Sequence, residues 1–460
     1  MVETIAKTHW SHLLTLCAGI MTLYMNTTMV AVALPALTNS LGASPAEAAW
    51  VVSAYNVAFL AVLLPCGLFG DRLGHKRLLL LGSMVFLVSA LVCALAPSAI
   101  WLIVGRAGMG LAASVFTPMS LALLPTVIEP SDMALANSLW TAAGGVGAPL
   151  GPLLGGWIIH ALGWRGIFWL DVVVIALVFF GCSRLPKARA VPSHPVLPWV
   201  QILLSAFGFL VLTVGMINVG GKVSFSAVWL PILIGLAALA LALVFGGRSD
   251  QALVDLGLLN NPRFLVNTVT LFFINLVLFG LLYVTPHYLQ NILGNSPARG
   301  GLMLMPLAGT AIVGALAAGL LVRRSKIGRW LLPSSIFLVA GGLLVGALTS
   351  PSSGYGYLAA GLSLAGFGVG AGQSLALQEA MAQVHPERRG SGASLVNTIR
   401  QLGSLLGVAF IASLVINLAG EPASDASYIH AMDSVFVLCS AACVLTGFAL
   451  LFMHTRQQKL

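Results

Sequence analysis

Apolar positions along this chain neither form a narrow helical stripe nor alternate with polar ones; they fill long, almost unbroken runs. Fourteen runs, at about 11–38, 48–69, 77–97, 99–126, 133–161, 165–185, 198–219, 227–246, 264–289, 300–322, 330–349, 354–380, 390–418 and 429–453, are long enough to cross a bilayer. A membrane-spanning helix needs about 20 such residues. The runs are too long for barrel strands and lack their period of two. Helices are then the remaining way to satisfy every backbone N–H and C=O in lipid. The pattern therefore predicts an all-α integral membrane protein with 14 transmembrane helices. The first run is longer than a signal-peptide core and has a weakly charged flank, so it reads as a retained helix.

Composition narrows the class further. Charged residues make up 8% of the 460, and apolar residues 58% before the 50 glycines are counted. An ordinary soluble domain carries roughly 25% charged residues, so a cytosolic enzyme, a disordered chain and a secreted disulfide scaffold are all excluded. The net charge of +9 does not describe a nucleic-acid surface, because the cations sit in the gaps between runs. With the N-terminus inside, seventeen Lys and Arg face the cytoplasm, among them Arg72, Lys76, Arg77, Arg323, Arg324, Lys326 and Arg329. Arg165, Lys222 and Arg299 face outward. That bias places both termini in the cytoplasm and requires an even number of spans. The six cysteines all lie within apolar runs and read as packing residues. No HExxH or GxxxxGK[ST] motif is present, and Gly108-Met-Gly110-Leu-Ala-Ala113 follows no strand, so no metal, cofactor or direct ATP drive is expected.

The chain also repeats. Ser138-Leu139…Gly147…Leu150-Gly151 recurs as Ser394-Leu395…Gly403…Leu406-Gly407, 256 residues later. Asp171 has a counterpart in Asp433, Gly74 in Gly328, and Pro97-Ser98 in Pro351-Ser352. Helices 1–6 and 9–14 are thus expected to form two pseudo-symmetric six-helix bundles, at 1–190 and 256–460, with two extra helices inserted at 191–255. Repeated bundles around a midplane site are a transporter architecture.

The gap between helices 2 and 3 reads Gly67-Leu-Phe-Gly70-Asp71-Arg72-Leu73-Gly74-His75-Lys76-Arg77. It resembles the signature loop of the major facilitator superfamily. In helix 5, Gly147-Ala-Pro149-Leu-Gly151-Pro152-Leu-Leu-Gly155-Gly156 is similar to that superfamily's antiporter signature. Small residues there let helix backbones approach closely, and prolines bend the helix. Further similarity lies at Asn26-Thr-Thr28…Pro35, Arg106-Ala-Gly108, Trp164-Arg165, Leu289-Gln290…Ser296-Pro297 and Asn397-Thr-Ile-Arg400-Gln401-Leu-Gly403. Together they resemble the fourteen-span drug:proton antiporter branch. The resemblance implies a multi-pass protein of the plasma membrane, the bacterial inner membrane, acting as a monomeric secondary transporter rather than an enzyme. Its expected activity is export of amphiphilic small molecules by alternating access, with protons as the coupling partner.

Four positions depart from that branch: Asn26 where an acid is usual, Met109 for glutamine, Met133 for arginine and Asp171 for asparagine. An amide cannot exchange a proton near neutral pH, so Asn26 favours a second reading, a proton-independent facilitator. An intramembrane enzyme or a non-transporting receptor is a third; the lack of any nucleophile–base or metal constellation argues against the enzyme.

Ionisable groups within spans cost several kcal/mol at mid-depth, about 2.5–3.5 on insertion scales, and are functional candidates. The expected substrate site comprises Asn26, Asn56, Arg106, Gln373 and Arg400. Asp171 and Arg106 are the proton-coupling candidates, with Asp171 placed toward the outer face as a gate or as a partner for Arg165. Gly67, Asp71, Arg72, Gly74, Gly147, Gly151, Pro152, Gly155 and Gly156 are expected to govern conformational change. Asp71 is predicted to cap helix 13 near Ser391 and Gly392. With Asn26 uncharged and two arginines at mid-depth, a neutral or anionic amphiphile is the expected cargo.

Overall fold

A computed structural model describes residues 9–186, 198–217, 225–246, 256–295, 297–322, 328–349, 355–420 and 425–456. Lys7, Lys187, Arg189, Lys222, Arg248, Arg323, Arg324, Lys326, Lys459, Ser296 and the repeat element Pro351-Ser352 lie outside the described residues.

Among the described residues the fold is helical, without a strand. Its long helices are α1 Trp10–Leu41, α2 Pro45–Leu73, α3 His75–Ala94, α4 Ala99–Val127, α5 Met133–Leu162, α6 Arg165–Ser183, α7 Trp199–Ile217, α8 Phe225–Gly246, α9 Pro262–His287, α10 Met305–Val322, α11 Gly328–Gly346, α12 Gly356–Ala382, α13 Arg389–Ala419 and α14 Asp425–Arg456. Among the described residues, eleven helices are long and apolar enough to cross a membrane. Their outward faces carry large apolar side chains, such as Leu445 at 71% exposed. Contiguous apolar surface of that extent is a surface for lipid.

Local chemistry fixes the helix ends. Ser44 and Glu47 form a reciprocal capping box at the start of α2, satisfying two orphan donors. The Ser44 backbone N–H, and then its hydroxyl, hold the Glu47 carboxyl below the usual range. Gly74 joins α2 to α3 with φ of +91°, a conformation that side-chain-bearing residues rarely adopt.

Helix α1 packs on α5 and α6, α2 on α4, and α3 on α4 and α6; in the second half α9 packs on α13, α10 on α12, and α11 on α12 and α14. Helices α7 and α8 pair with each other, and α7 lies against α2. The sequence repeat is also a repeat of contacts. Gly147 and Gly151 of α5 lie on the Met21 and Met25 carbonyls of α1, while Gly403 and Gly407 of α13 lie on the Phe272 and Leu276 carbonyls of α9. Each pair of contacts is related by the same shift, 256 residues on one helix and 251 on the other. Backbones can come this close only where no Cβ intervenes. Gly155 continues the α5 stripe against Met29, whereas Gly156 faces open space and makes no such contact. The side chain of Pro152 lies outside the described residues.

Candidate functional site

Three helices bring one buried polar chain together. The Arg106 Nη1 of α4 donates to the Asn26 Oδ1 of α1, and Asn26 Nδ2 donates to the Asp171 Oδ2 of α6 at 2.5 Å. All three residues are fully buried. Arg106 Nε donates to the Val51 carbonyl at 3.0 Å, and its guanidinium lies 4.6 Å from the centre of the Tyr55 ring. One atom at each charged end, Arg106 Nη2 and Asp171 Oδ1, is buried with no hydrogen-bond partner. A primary amide accepts through oxygen and donates through nitrogen. Asn26 is therefore a residue type that can link a cation to an anion without itself titrating.

This corrects the sequence reading in two respects. Asp171 is not the partner of Arg165, whose Nη2 donates to the Ala96 carbonyl at 2.8 Å and whose guanidinium stacks on Trp164. Asn26 and Arg106, expected to line a substrate cavity, are sealed within the first half of the fold.

The main cavity lies between the halves and has a volume of about 280 Å³. Helices α1 and α5 supply Tyr24, Thr28, Trp140 and Gly144 on one side; α9, α10, α12 and α13 supply Asn275, Leu307, Gln373 and Arg400 on the other. Of the five expected substrate residues, Gln373 and Arg400 line it. Asn56 lines a smaller adjoining pocket with Tyr55, Thr27 and Thr117, and that pocket shares Tyr24, Phe59 and Gln401 with the main one. Tyr55 thus has Arg106 against its ring and also forms a wall of the side pocket. Arg400 Nη2 donates to Gln373 Oε1 at 2.9 Å, Nη1 donates to Asn397 Oδ1 at 3.2 Å, and the indole of Trp140 is 6.0 Å away. Trp140 and Asn397 were missed as site residues. Asn397 stands one helical turn before Arg400, a spacing that places both on one face; nothing in the sequence joins Trp140 to them.

The cavity is closed on the side where α1 begins. Asp71 Oδ1 accepts from the Gly390 N–H at 2.7 Å, and its Oδ2 accepts from the Ser391 N–H at 2.9 Å and from Ser391 Oγ at 2.5 Å. The partners at the head of α13 are Gly390 and Ser391 rather than Ser391 and Gly392. His75 Nε2 also meets Asp71 Oδ1 at 2.8 Å, a contact the sequence reading did not anticipate. Beside this latch, Gly67 of α2 lies tightly against Gly390 and Ser394 of α13; across the molecule Gly319 of α10 lies against Ala134 and Ser138 of α5. Ser138 Oγ meets Ser374 Oγ of α12 at 2.6 Å. Gly67 and Gly319, like Ser138 and Ser394, occupy equivalent places in the repeat, so two matched contacts shut this end. Arg72 is half-buried with its Nε unpartnered.

The sequence model of the Major Facilitator Superfamily matches residues 16–408. The chain belongs to that superfamily. It is a membrane transporter and not an enzyme. It is 28% identical, over 90% of its length and 78% of the relative's, to the tetracenomycin C resistance and export protein of Streptomyces glaucescens. It is 31% identical to the drug efflux pump JefA of Mycobacterium tuberculosis, over 86% of this chain and 78% of that one. Among solved structures it shares the fold of the human organic anion transporter MFSD10, with a TM-score of 0.68, 16% identity, and coverage of 96% of this chain and 99% of the other. In a Major Facilitator transporter, a cavity between the halves closed at one end is half of an alternating-access cycle.

Proposed function

We propose that this Major Facilitator protein exports amphiphilic small molecules, of the drug or antibiotic kind named in its relatives, by proton-coupled alternating access. The observation that carries the reading is the pairing of a largely apolar cavity between the halves with a separate, buried carboxylate linked to an arginine. In this account all fourteen long helices cross the membrane and both termini lie in the cytoplasm of a bacterial cell. Residues 1–190 and 256–460 act as the two rocking bundles of a monomer, with 191–255 as the insert.

Cargo enters the cavity at Gln373 and Arg400, with Asn56 beside it in the side pocket. Asp171 carries the proton on its unpartnered Oδ1, Arg106 stabilises the ionised form through Asn26, and Tyr55 transmits the change to the cavity wall. Asp71 with Arg72, Gly67 and Gly74 holds the cytoplasmic end shut; Gly147, Gly151, Pro152 and Gly155 set how α5 moves on α1. The presence of a buried acid favours coupled export over the proton-independent facilitator that Asn26 alone would suggest. Everted membrane vesicles containing the protein test this: on energisation they should accumulate an uncharged fluorescent amphiphile above the level of empty vesicles, and a protonophore should abolish the excess. Uptake that only equilibrates, with or without the protonophore, would contradict coupling.

A further inference from the structure

We infer that the cavity selects cargo bearing a single acidic group on a flat apolar body, with Arg400 as the residue that pairs with the acid. The inference rests on the export reading and deepens it. Its basis is a charge imbalance. Among the described residues lining the main cavity, Arg400 is the sole charged side chain, and no Asp or Glu is among them. The groups that hold its guanidinium, Gln373, Asn397 and the Trp140 face, are all neutral.

The two arginines of the transport path therefore differ in kind. Arg106 has its anion within the protein, through Asn26, whereas Arg400 has none. A guanidinium in a poorly hydrated site gains most from a carboxylate or sulfonate, which it can grip through two parallel N–H donors. Gln373 and Asn397 use their oxygens on Arg400, fixing the plane of the fork without neutralising it. The wall around it suits a flat apolar body: Trp140, Tyr24, Phe59 and Phe279 supply aromatic faces, and Gly144 and Gly145 leave room on α5. A lipophilic cation would meet like charge with no acid to offset it.

The test uses purified full-length protein in liposomes and three matched probes: an anilinonaphthalene sulfonate, the corresponding uncharged sulfonamide, and the corresponding trimethylammonium compound. The sulfonate should be bound and transported about tenfold better than the sulfonamide, the scale of one charge-assisted hydrogen-bonded pair, and the cation least. Arg400→Gln should bring the sulfonate-to-sulfonamide ratio close to one, Arg400→Lys should keep part of the preference, and Gln373→Glu, which places a carboxylate on the guanidinium, should reverse it. Gln373→Glu keeps Arg400 in place, so it reports even if Arg400→Gln does not fold. Transport of the sulfonamide and the cation at or above the sulfonate rate would overturn the inference and leave export standing. No transport of any probe by folded protein would overturn the export reading as well.

Discussion

The Asn26 amide donates to the Asp171 carboxylate at 2.5 Å across two helices that are 145 residues apart in sequence. With Arg106 on its other side, the amide joins a buried cation and a buried carboxylate within the first half. In the drug:proton antiporters this chain resembles, helix 1 usually supplies the acid at that point. Here helix 1 carries an amide at that point, and the amide links a carboxylate of α6 to Arg106.

Removing that link is expected to be costly. Asn26→Ala leaves a buried guanidinium and a buried carboxylate without their shared partner, and leaving a buried group unsatisfied costs about 1–3 kcal/mol, more where it is charged. Thermal unfolding in detergent should fall accordingly. Asn26→Asp behaves differently: it still accepts from Arg106, but a hydrogen bond with Asp171 forms only while one of the two carboxyls holds the proton that is shared. Its thermal unfolding should therefore fall less than that of Asn26→Ala, because the contact with Arg106 is kept.

The latch at Asp71 makes a second test. A carboxylate at a helix N-terminus is worth about 0.3–1 kcal/mol, and up to about 2 when partly buried. Asp71→Asn should shift the population away from the form closed at this end by roughly twofold to thirtyfold. All six native cysteines are buried, so Leu282→Cys in the cavity wall can serve as the reporter. A membrane-impermeant maleimide applied from outside should label it more slowly in the Asp71→Asn background; an unchanged rate would remove the gating role.

The glycine stripes predict matched failures. A Cβ at Gly151 would stand 2.7 Å from the Met25 carbonyl oxygen, and one at Gly407 would stand 2.8 Å from the Leu276 carbonyl carbon. Gly151→Val and Gly407→Val should each destabilise by about 1–3 kcal/mol through overpacking and slow transport alike. Gly156→Ala, with open space around it, should be tolerated in both respects.

Membrane potential offers a test of the Arg400 cavity in intact vesicles. Each elementary charge moved across the membrane is worth about 2.3 kcal/mol per 100 mV. Export of an acidic probe should therefore accelerate when an inside-negative potential is imposed with potassium and valinomycin, relative to export of its uncharged counterpart. Equal acceleration of both would argue that the acid crosses protonated.

The sequence made the helices legible because lipid demands apolar runs, and the repeat legible because Gly147, Gly151, Gly403 and Gly407 must stay small. The latch was legible within one residue, since a carboxylate between glycines at a helix corner has few other uses. The buried triad was not. Counting from Trp164 placed Asp171 near the outer end of its own helix, but its depth in the bundle is set by how α6 packs on α1 and α3. Asn26 read as a missing acid because its partner lies on another helix, a pairing that no spacing along the chain encodes. For the same reason Arg106 and Arg400 looked alike in sequence, although one faces an anion and the other faces the cavity.

The division of labour between a proton site at Asp171 and a cargo site at Arg400 is tested most directly in proteoliposomes carrying Asp171→Asn. Two fluxes of one probe should be compared in the same preparation: exchange of internal for external probe, and accumulation driven by an imposed proton gradient. The account predicts that exchange persists while gradient-driven accumulation is lost. Accumulation at the wild-type level in Asp171→Asn would contradict it.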